Sequence, residues 1–202
     1  MTRIKAVIFD WGGVLIEDPD LPRAEFVAAR LGVAPESFLR ELGGYEKEFQ
    51  KGLITEKELL ARIAAALGIV LPQFNGSLLK EAVRSTFRRR EPVFELAREL
   101  KRRGFLVALL SNCEEPTAEF ASESRWFDFF DLLVFSNHEH VAKPDAEIFN
   151  RALERLKVSS SEAVFVDDKK IHVEAARSIG FHAVLFTGVD ALAAELKELG
   201  VL

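Results

Sequence analysis

A doubly wound α/β fold, a five-stranded parallel sheet with a small all-helical cap inserted after its first strand, is predicted by three features of this 202-residue sequence. Five short runs are apolar without alternation. Segments of helical period with clear punctuation separate the later runs. One long interval, between the first run and the second, contains no strand-like stretch.

The runs are residues 6–9 (AVIF), 105–110 (FLVALL), 132–135 (LLVF), 163–166 (AVFV) and 183–186 (AVLF). A strand with one wet face alternates, so unbroken apolar runs predict strands buried on both faces, as in a parallel sheet covered by helices. Between them, EPVFELARELKRRG opens on Pro92 and closes on Gly104, KPDAEIFNRALERL opens on Pro144 with acidic residues in its first turn, and KKIHVEAARSIG closes on Gly180. Proline suits the first helical turn, carboxylates complement the dipole there, and glycine suits the exit.

About 95 residues separate Phe9 from Phe105, whereas a crossover needs only about a dozen. The interval predicts helices over residues 22–31, 35–42, 45–50, 55–67 and 77–88. The fourth is the clearest: Thr55 and Glu58 make a Thr-x-x-Glu capping box, and Gly68 follows its last apolar turn. The predicted organisation is a core of residues 1–16 and 91–202 and a cap of residues 17–90.

A net charge of −5 gives no electrostatic footprint for nucleic acid, and Arg88-Arg89-Arg90 reads as a solvated helix end. Cys113, the single cysteine, cannot form an intramolecular disulfide. No stretch approaches the roughly 18–20 apolar residues of a membrane span, and the N-terminus lacks a signal-peptide core. The expected location is the cytoplasm, as a monomer or homodimer.

Ligands of a parallel sheet bind outside the carboxyl ends of its strands. Asp10 follows the first run, Ser111 and Asn112 the second, Lys143 stands in the loop beyond the third, and Asp167 and Asp168 follow the fourth. Each has a plain structural explanation as a turn, cap or loop residue. Together they place three carboxylates, a lysine and a hydroxyl at one sheet edge, a set suited to phosphoryl transfer. Mg²⁺ prefers one or two carboxylates plus water and phosphate oxygens, supplied here by Asp10 and Asp168. An aspartate can also attack phosphorus once cations offset its charge, with Lys143 and Ser111 contributing to phosphate binding.

These residues resemble the haloacid dehalogenase-like hydrolase superfamily along essentially the whole chain, through VIFDWGGVL, LLSN, AKPD and FVDD in order. The insert is similar to the small helical cap of subfamily I. The resemblance implies a Rossmann-like core, Asp10 as nucleophile, Ser111 as phosphate ligand alongside Asn112, and Lys143 as charge neutraliser. It also implies Mg²⁺ held by Asp10, the Gly12 carbonyl and Asp168, with Asp167 supporting through a water or a neighbouring bond.

Phosphatases of this superfamily usually carry a second aspartate two residues after the nucleophile; here that position is Gly12. General acid–base help is worth ~10²–10⁴ in rate, so the sequence predicts a phosphatase of reduced or substrate-restricted activity on a small phosphorylated metabolite. FD-x-G-x-V also resembles a sugar-phosphate branch similar to bacterial α-glucose-1-phosphate phosphatase. The alternatives are a metal-independent 2-haloacid dehalogenase and a catalytically weak phospho-ligand-binding or interaction protein.

Among the remaining residues, His172 stands where many relatives have Asp or Asn, and reads as a donor near the site or a plain helix residue. His138 and His140 read as a solvated loop, Cys113 as a packing residue and Trp11 as packing at the cap hinge. Glu17, Tyr45 and Lys51 are the expected polar contacts from the cap.

Overall fold

The computed structural model describes residues 3–202; Met1 and Thr2, which open the predicted first core segment, lie outside the described residues. Five parallel strands, β1 (Ala6–Phe9), β2 (Leu106–Ser111), β3 (Leu132–Phe135), β4 (Ala163–Asp167) and β5 (His182–Leu185), lie in the order β3-β2-β1-β4-β5. Eleven α-helices accompany them among the described residues: α1 (Asp20–Leu31), α2 (Pro35–Gly43), α3 (Glu46–Gln50), α4 (Glu56–Leu67), α5 (Leu78–Thr86), α6 (Glu91–Arg102), α7 (Glu115–Glu123), α8 (Ser136–Glu139), α9 (Ala146–Leu156), α10 (Lys170–Ser178) and α11 (Val189–Glu198). The α/β fold predicted from the unbroken apolar runs is the fold observed. Helices α7, α8 and α11 have no counterpart in the sequence reading.

Strand alternation builds two cores. Val7 and Phe9 of β1 pack with Val93, Phe94 and Ala97 of α6 and Leu192 of α11, whereas Ala6 and Ile8 point to Phe149 of α9 and Val173 of α10. Both faces are therefore dry, which is why the strands read as continuous rather than alternating. The register pairs Ile8 with Ala108 and with Phe165, making β1 the central strand. After β3 the chain crosses back to place β4 on the other side of β1. The carboxyl ends of β1 and β4 thus flank the topological switch point, where crevices form.

Helices α1 to α5 share their own apolar cluster around Val27, Phe38, Leu59 and Ile63. The Thr55 box forms as predicted, with Thr55 N–H donating to Glu58 Oε2 at 2.8 Å and Glu58 N–H to Thr55 Oγ1 at 3.2 Å. The chain enters and leaves this helical layer through a short antiparallel pair: Glu17 N–H donates to the Arg88 carbonyl and Arg90 N–H to that of Leu15, both at 2.9 Å. The arginine run is part of that hinge rather than a solvated helix end, since α5 stops at Thr86. The Arg89 guanidinium lies 5.0 Å from the Trp126 ring centroid and Arg90 lies 5.8 Å from Phe186, so both cations are anchored on aromatic faces.

The helical layer also docks on the core beside α8. Ser136 Oγ donates to the Gln50 carbonyl at 2.6 Å, and the His140 ring Nδ1 donates to the Lys51 carbonyl at 2.9 Å. Gly52 has φ +64° and lies so close that a Cβ would sit 2.7 Å from the Asn137 carbonyl. His138 meets Glu115 at 3.1 Å. Both histidines, read as a solvated loop, are exposed; His138 lies in α8 and pairs within the core, while His140 stands at the joint between cap and core.

Candidate active site

Trp11 to Leu15 wind a single tight turn directly off β1, with Trp11 buried against Phe87, Phe127 and Phe135. That packing is the hinge role expected of it, and it fixes the peptide whose N–H donates to Asp10 Oδ1 at 2.7 Å. Lys143 Nζ reaches the same Oδ1 at 2.8 Å and Asp167 Oδ2 at 2.7 Å, with its side chain fully buried. The side-chain bonds of Asp10 thus fall on Oδ1.

Burial drives the Asp10 carboxyl above its usual range, with Asp167 adding to the rise and Lys143 opposing it. Burial acts the same way on Asp167, but Lys143 and the hydrogen bond from His172 outweigh it and hold that group down. Lys143 in turn is raised, because its two carboxylates overcome the burial that would neutralise it.

Asp167 is fully committed. Besides Lys143, it accepts from His172 Nδ1 at 3.0 Å and from Lys169 N–H at 2.8 Å. Asp10, Asp167 and His172 place ligand atoms within 4.8 Å of one another, yet the cation among them is the Lys143 ammonium. His172 is therefore the donor that the sequence suggested, orienting Asp167. Asp168 differs: its Oδ1 is buried and has no hydrogen-bond partner, and burial followed by the nearby Asp167 raises its carboxyl.

Gly13 shows why Asp168 lies where it does. It has φ +76°, and a Cβ there would sit 2.2 Å from Asp168 Oδ2. Only glycine allows both the left-handed turn and this approach. Gly13→Ala is expected to cost about 1–2 kcal/mol from the backbone alone and to displace Asp168, read as a lowered Tm. Gly12 is different, with φ −64° and only Pro19 Cδ at 3.4 Å in the way of a Cβ.

Ser111 ends β2 and lines the cavity over Asp10 with Gly12, Lys143 and Asp168. Asn112, expected to bind substrate, lines the same cavity, and its amide is bonded to the backbone of Lys143: Nδ2 donates to its carbonyl and Oδ1 accepts from its N–H, both at 2.8 Å. This two-bond clamp holds the Lys143 backbone in place. Cys113 is buried, and burial pushes its thiol well up, consistent with a packing role.

The cap contributes other residues than those expected. Glu17 is exposed at the hinge, Tyr45 takes the Arg62 guanidinium 5.5 Å over its ring, and Lys51 pairs with Asp145 at 3.0 Å. The polar side chains from this part of the chain at the cavity wall are Asp18, just ahead of α1, Asp20 and Arg23 of α1, and Glu46, Lys47 and Gln50 of α3. Lys169 also lines it, a further cation beside Lys143, Arg23 and Lys47, and one that was legible in the run DDKK directly after a strand end.

An enzyme with carboxylates bridged by a buried lysine at the switch point of a parallel sheet is the class that this fold and site define. The chain belongs to the haloacid dehalogenase-like hydrolases, whose family model matches residues 4–180. It is 30% identical to a sesquiterpene phosphatase of Aspergillus oryzae over 98% of this chain and 97% of that protein. It is 26% identical to bifunctional epoxide hydrolase 2 of Sus scrofa over 97% of this chain, though the match spans only 39% of that longer protein. A HAD family enzyme of Bacteroides thetaiotaomicron, solved with magnesium and inorganic phosphate, superposes with a TM-score of 0.72 at 27% identity, covering 90% of this chain and 93% of that one.

Proposed function

We propose that this chain is a Mg²⁺-dependent phosphomonoester hydrolase acting on a small phosphorylated metabolite through a phosphoryl group carried transiently on Asp10. The observation that carries the reading is the asymmetry of the three carboxylates. Asp10 and Asp167 share a buried ammonium, while Asp168 presents a buried oxygen that no protein donor meets. A buried carboxylate oxygen without a partner is costly unless a cation answers it.

The donor set fits a hard divalent ion, with Asp10, the Gly12 carbonyl and Asp168 as the residues that would hold Mg²⁺. When bound, the ion supplies charge neutralisation and polarises the phosphate oxygens. Asp10 Oδ1 is held by the Trp11 N–H and Lys143, which leaves Oδ2 to attack phosphorus as the ester bond breaks. Lys143 offsets the charge of the incoming dianion, and the Ser111 hydroxyl donates to one of its oxygens. The leaving alkoxide takes its proton from solvent because Gly12 has no acid to give. Water then attacks phosphorus as the bond from Asp10 to the phosphoryl group breaks, its proton passes to solvent without help from position 12, and Asp10 is regenerated.

The phosphatase and the magnesium–phosphate complex among the similar proteins support this reading. A 2-haloacid would bring its own carboxylate beside Asp168, whose oxygen is already uncompensated, which disfavours dehalogenation. A pure scaffold has no physical need to bury Lys143 between two carboxylates, since removal from water costs each ion several kcal/mol.

Phosphate release from a panel of aryl, sugar and carboxylic-acid phosphates, with Mg²⁺ or with EDTA, tests the reading. Release in Mg²⁺ that EDTA abolishes is expected. Chloride release from 2-chloropropionate in EDTA, or no release from any ester, overturns it.

Installing the missing acid is also informative. The space at Gly12 accepts a Cβ, so Gly12→Asp is expected to fold with a Tm within a few degrees of wild type. It is expected to raise kcat by about tenfold or more, on aryl phosphates through base help to the water that hydrolyses the phosphorylated aspartate and on esters of poorly leaving alcohols also through protonation of the leaving group. Equal gains on both substrates would show that leaving-group protonation is not limiting.

A further inference from the structure

The cavity over Asp10, of about 280 Å³, does not end at the polar rim of the cap. A second cavity of about 180 Å³ lies within the cap and shares Asp20, Arg23, Glu46, Gln50 and Glu114 with it, so the two meet at a common neck. Beyond the neck the wall turns apolar, with Val27 of α1, Phe38, Leu39 and Leu42 of α2, Phe49 of α3 and Leu79 of α5.

We infer that this inner cavity seats the hydrocarbon part of the substrate, and that the chain hydrolyses the phosphate monoester of an apolar alcohol. The inference rests on the phosphomonoesterase reading and names the substrate class for it. At roughly 30 Å³ per water-sized group, the inner space holds about six methylene-sized units. Arg23 stands at the neck with its Nη1 3.4 Å from Thr117 Oγ1 and 3.8 Å from Glu114 Oε1, while its Nε is buried with no acceptor. An ester or phosphate oxygen at the neck would answer that donor. The phosphate then faces Asp10 and Lys143, and the chain runs past Arg23 into the cap.

A sugar phosphate fits this arrangement less well. Acidic residues and Gln50 at the neck can meet a few hydroxyls, but a hydroxyl pushed among Phe38, Leu39 and Leu42 loses its water without gaining a partner. Apolar groups placed there gain from leaving water in proportion to their area.

The test uses the full chain with Mg²⁺ and three primary-alcohol esters of comparable leaving-group basicity: ethyl phosphate, hexyl phosphate and a hexose 6-phosphate. Hexyl phosphate is expected to exceed ethyl phosphate in kcat/KM by about a hundredfold, and the hexose ester to fall near or below ethyl phosphate. Hexylphosphonate is expected to inhibit hydrolysis of p-nitrophenyl phosphate at least tenfold more tightly than ethylphosphonate. Leu42→Asn, at a half-buried position, is expected to cut the hexyl-to-ethyl ratio at least fivefold. If that variant fails to fold, the ester series and the phosphonate pair on the wild-type chain decide the matter alone. A flat series with active hydrolysis of p-nitrophenyl phosphate overturns the apolar seat and leaves the hydrolase reading standing. No release from any ester overturns both.

Discussion

Asp10→Asn is expected to lose turnover by ~10⁵-fold while remaining folded. On the proposed mechanism the Asp10 carboxylate takes up the phosphoryl unit, and removing a nucleophile typically costs rate on that scale. Stability should move the other way, or hardly at all. Asparagine keeps an oxygen to accept the Trp11 N–H, and Lys143 keeps Asp167 at 2.7 Å as its counter-ion. The buried site also loses the charge that burial penalises first. Phosphate release paired with a thermal melt checks this. A Tm equal to or above wild type with no activity is the expected pair, and a variant that retains a tenth of its rate would remove Asp10 from the nucleophile's role.

Lys143→Met carries the largest expected loss of stability. It leaves Asp10 and Asp167 buried without their shared cation, and breaking a buried pair by removing one partner costs about 3–5 kcal/mol. For a chain of this size each kcal/mol moves Tm by roughly 2–4 °C, so a fall on the order of 10 °C is expected, together with loss of activity. The pH dependence has a definite sign. Asp167 has a folded-state pKa held below its ordinary value of 3.8 by Lys143 and His172, which outweigh its burial. Its contribution to the wild type is therefore present above about pH 4–5 and lost as the pH falls below that, because the unfolded chain then binds the proton more readily. The difference in Tm between wild type and variant should be widest near neutrality and should narrow below about pH 4. A difference that widens in acid would contradict the pairing of Lys143 with these carboxylates.

The sheet and the residues at its edge were legible because both follow from local rules. Runs buried on two faces need no tertiary information, and a residue that ends such a run must stand at the strand's carboxyl end. Asp10, Ser111, Lys143, Asp167 and Asp168 were reachable in this way. The direction of each side chain was not. Asn112 occupies the expected place, yet its amide is used twice on the Lys143 backbone. Asp167 and Asp168 are neighbours in sequence with opposite environments, one saturated by donors and the other left with a free buried oxygen.

The cap was the harder part. A five-residue helix such as α3 has no periodicity that reveals which face meets the core, so Glu46 and Gln50 could not be told from Tyr45 and Lys51. The arginine run misled for a related reason. Arg89 and Arg90 are basic, but their guanidinium groups lie on Trp126 and Phe186, partners distant in sequence. Gly13 was visible as a glycine shortly after Asp10, whereas its φ of +76° and the carboxylate leaning on it appear only in three dimensions.

The covalent step on Asp10 is tested most directly by rapid-quench hydrolysis of p-nitrophenyl phosphate with Mg²⁺, followed by mass analysis of the protein. Aryl phosphates need no acid to leave, while water must attack the phosphorylated aspartate without help from position 12, so the second step is the slow one. The expected result is a burst of p-nitrophenol approaching one equivalent per active chain, with a phosphoryl group located on the peptide containing Asp10. Steady turnover with no burst and no phosphoryl group on that peptide would contradict the account.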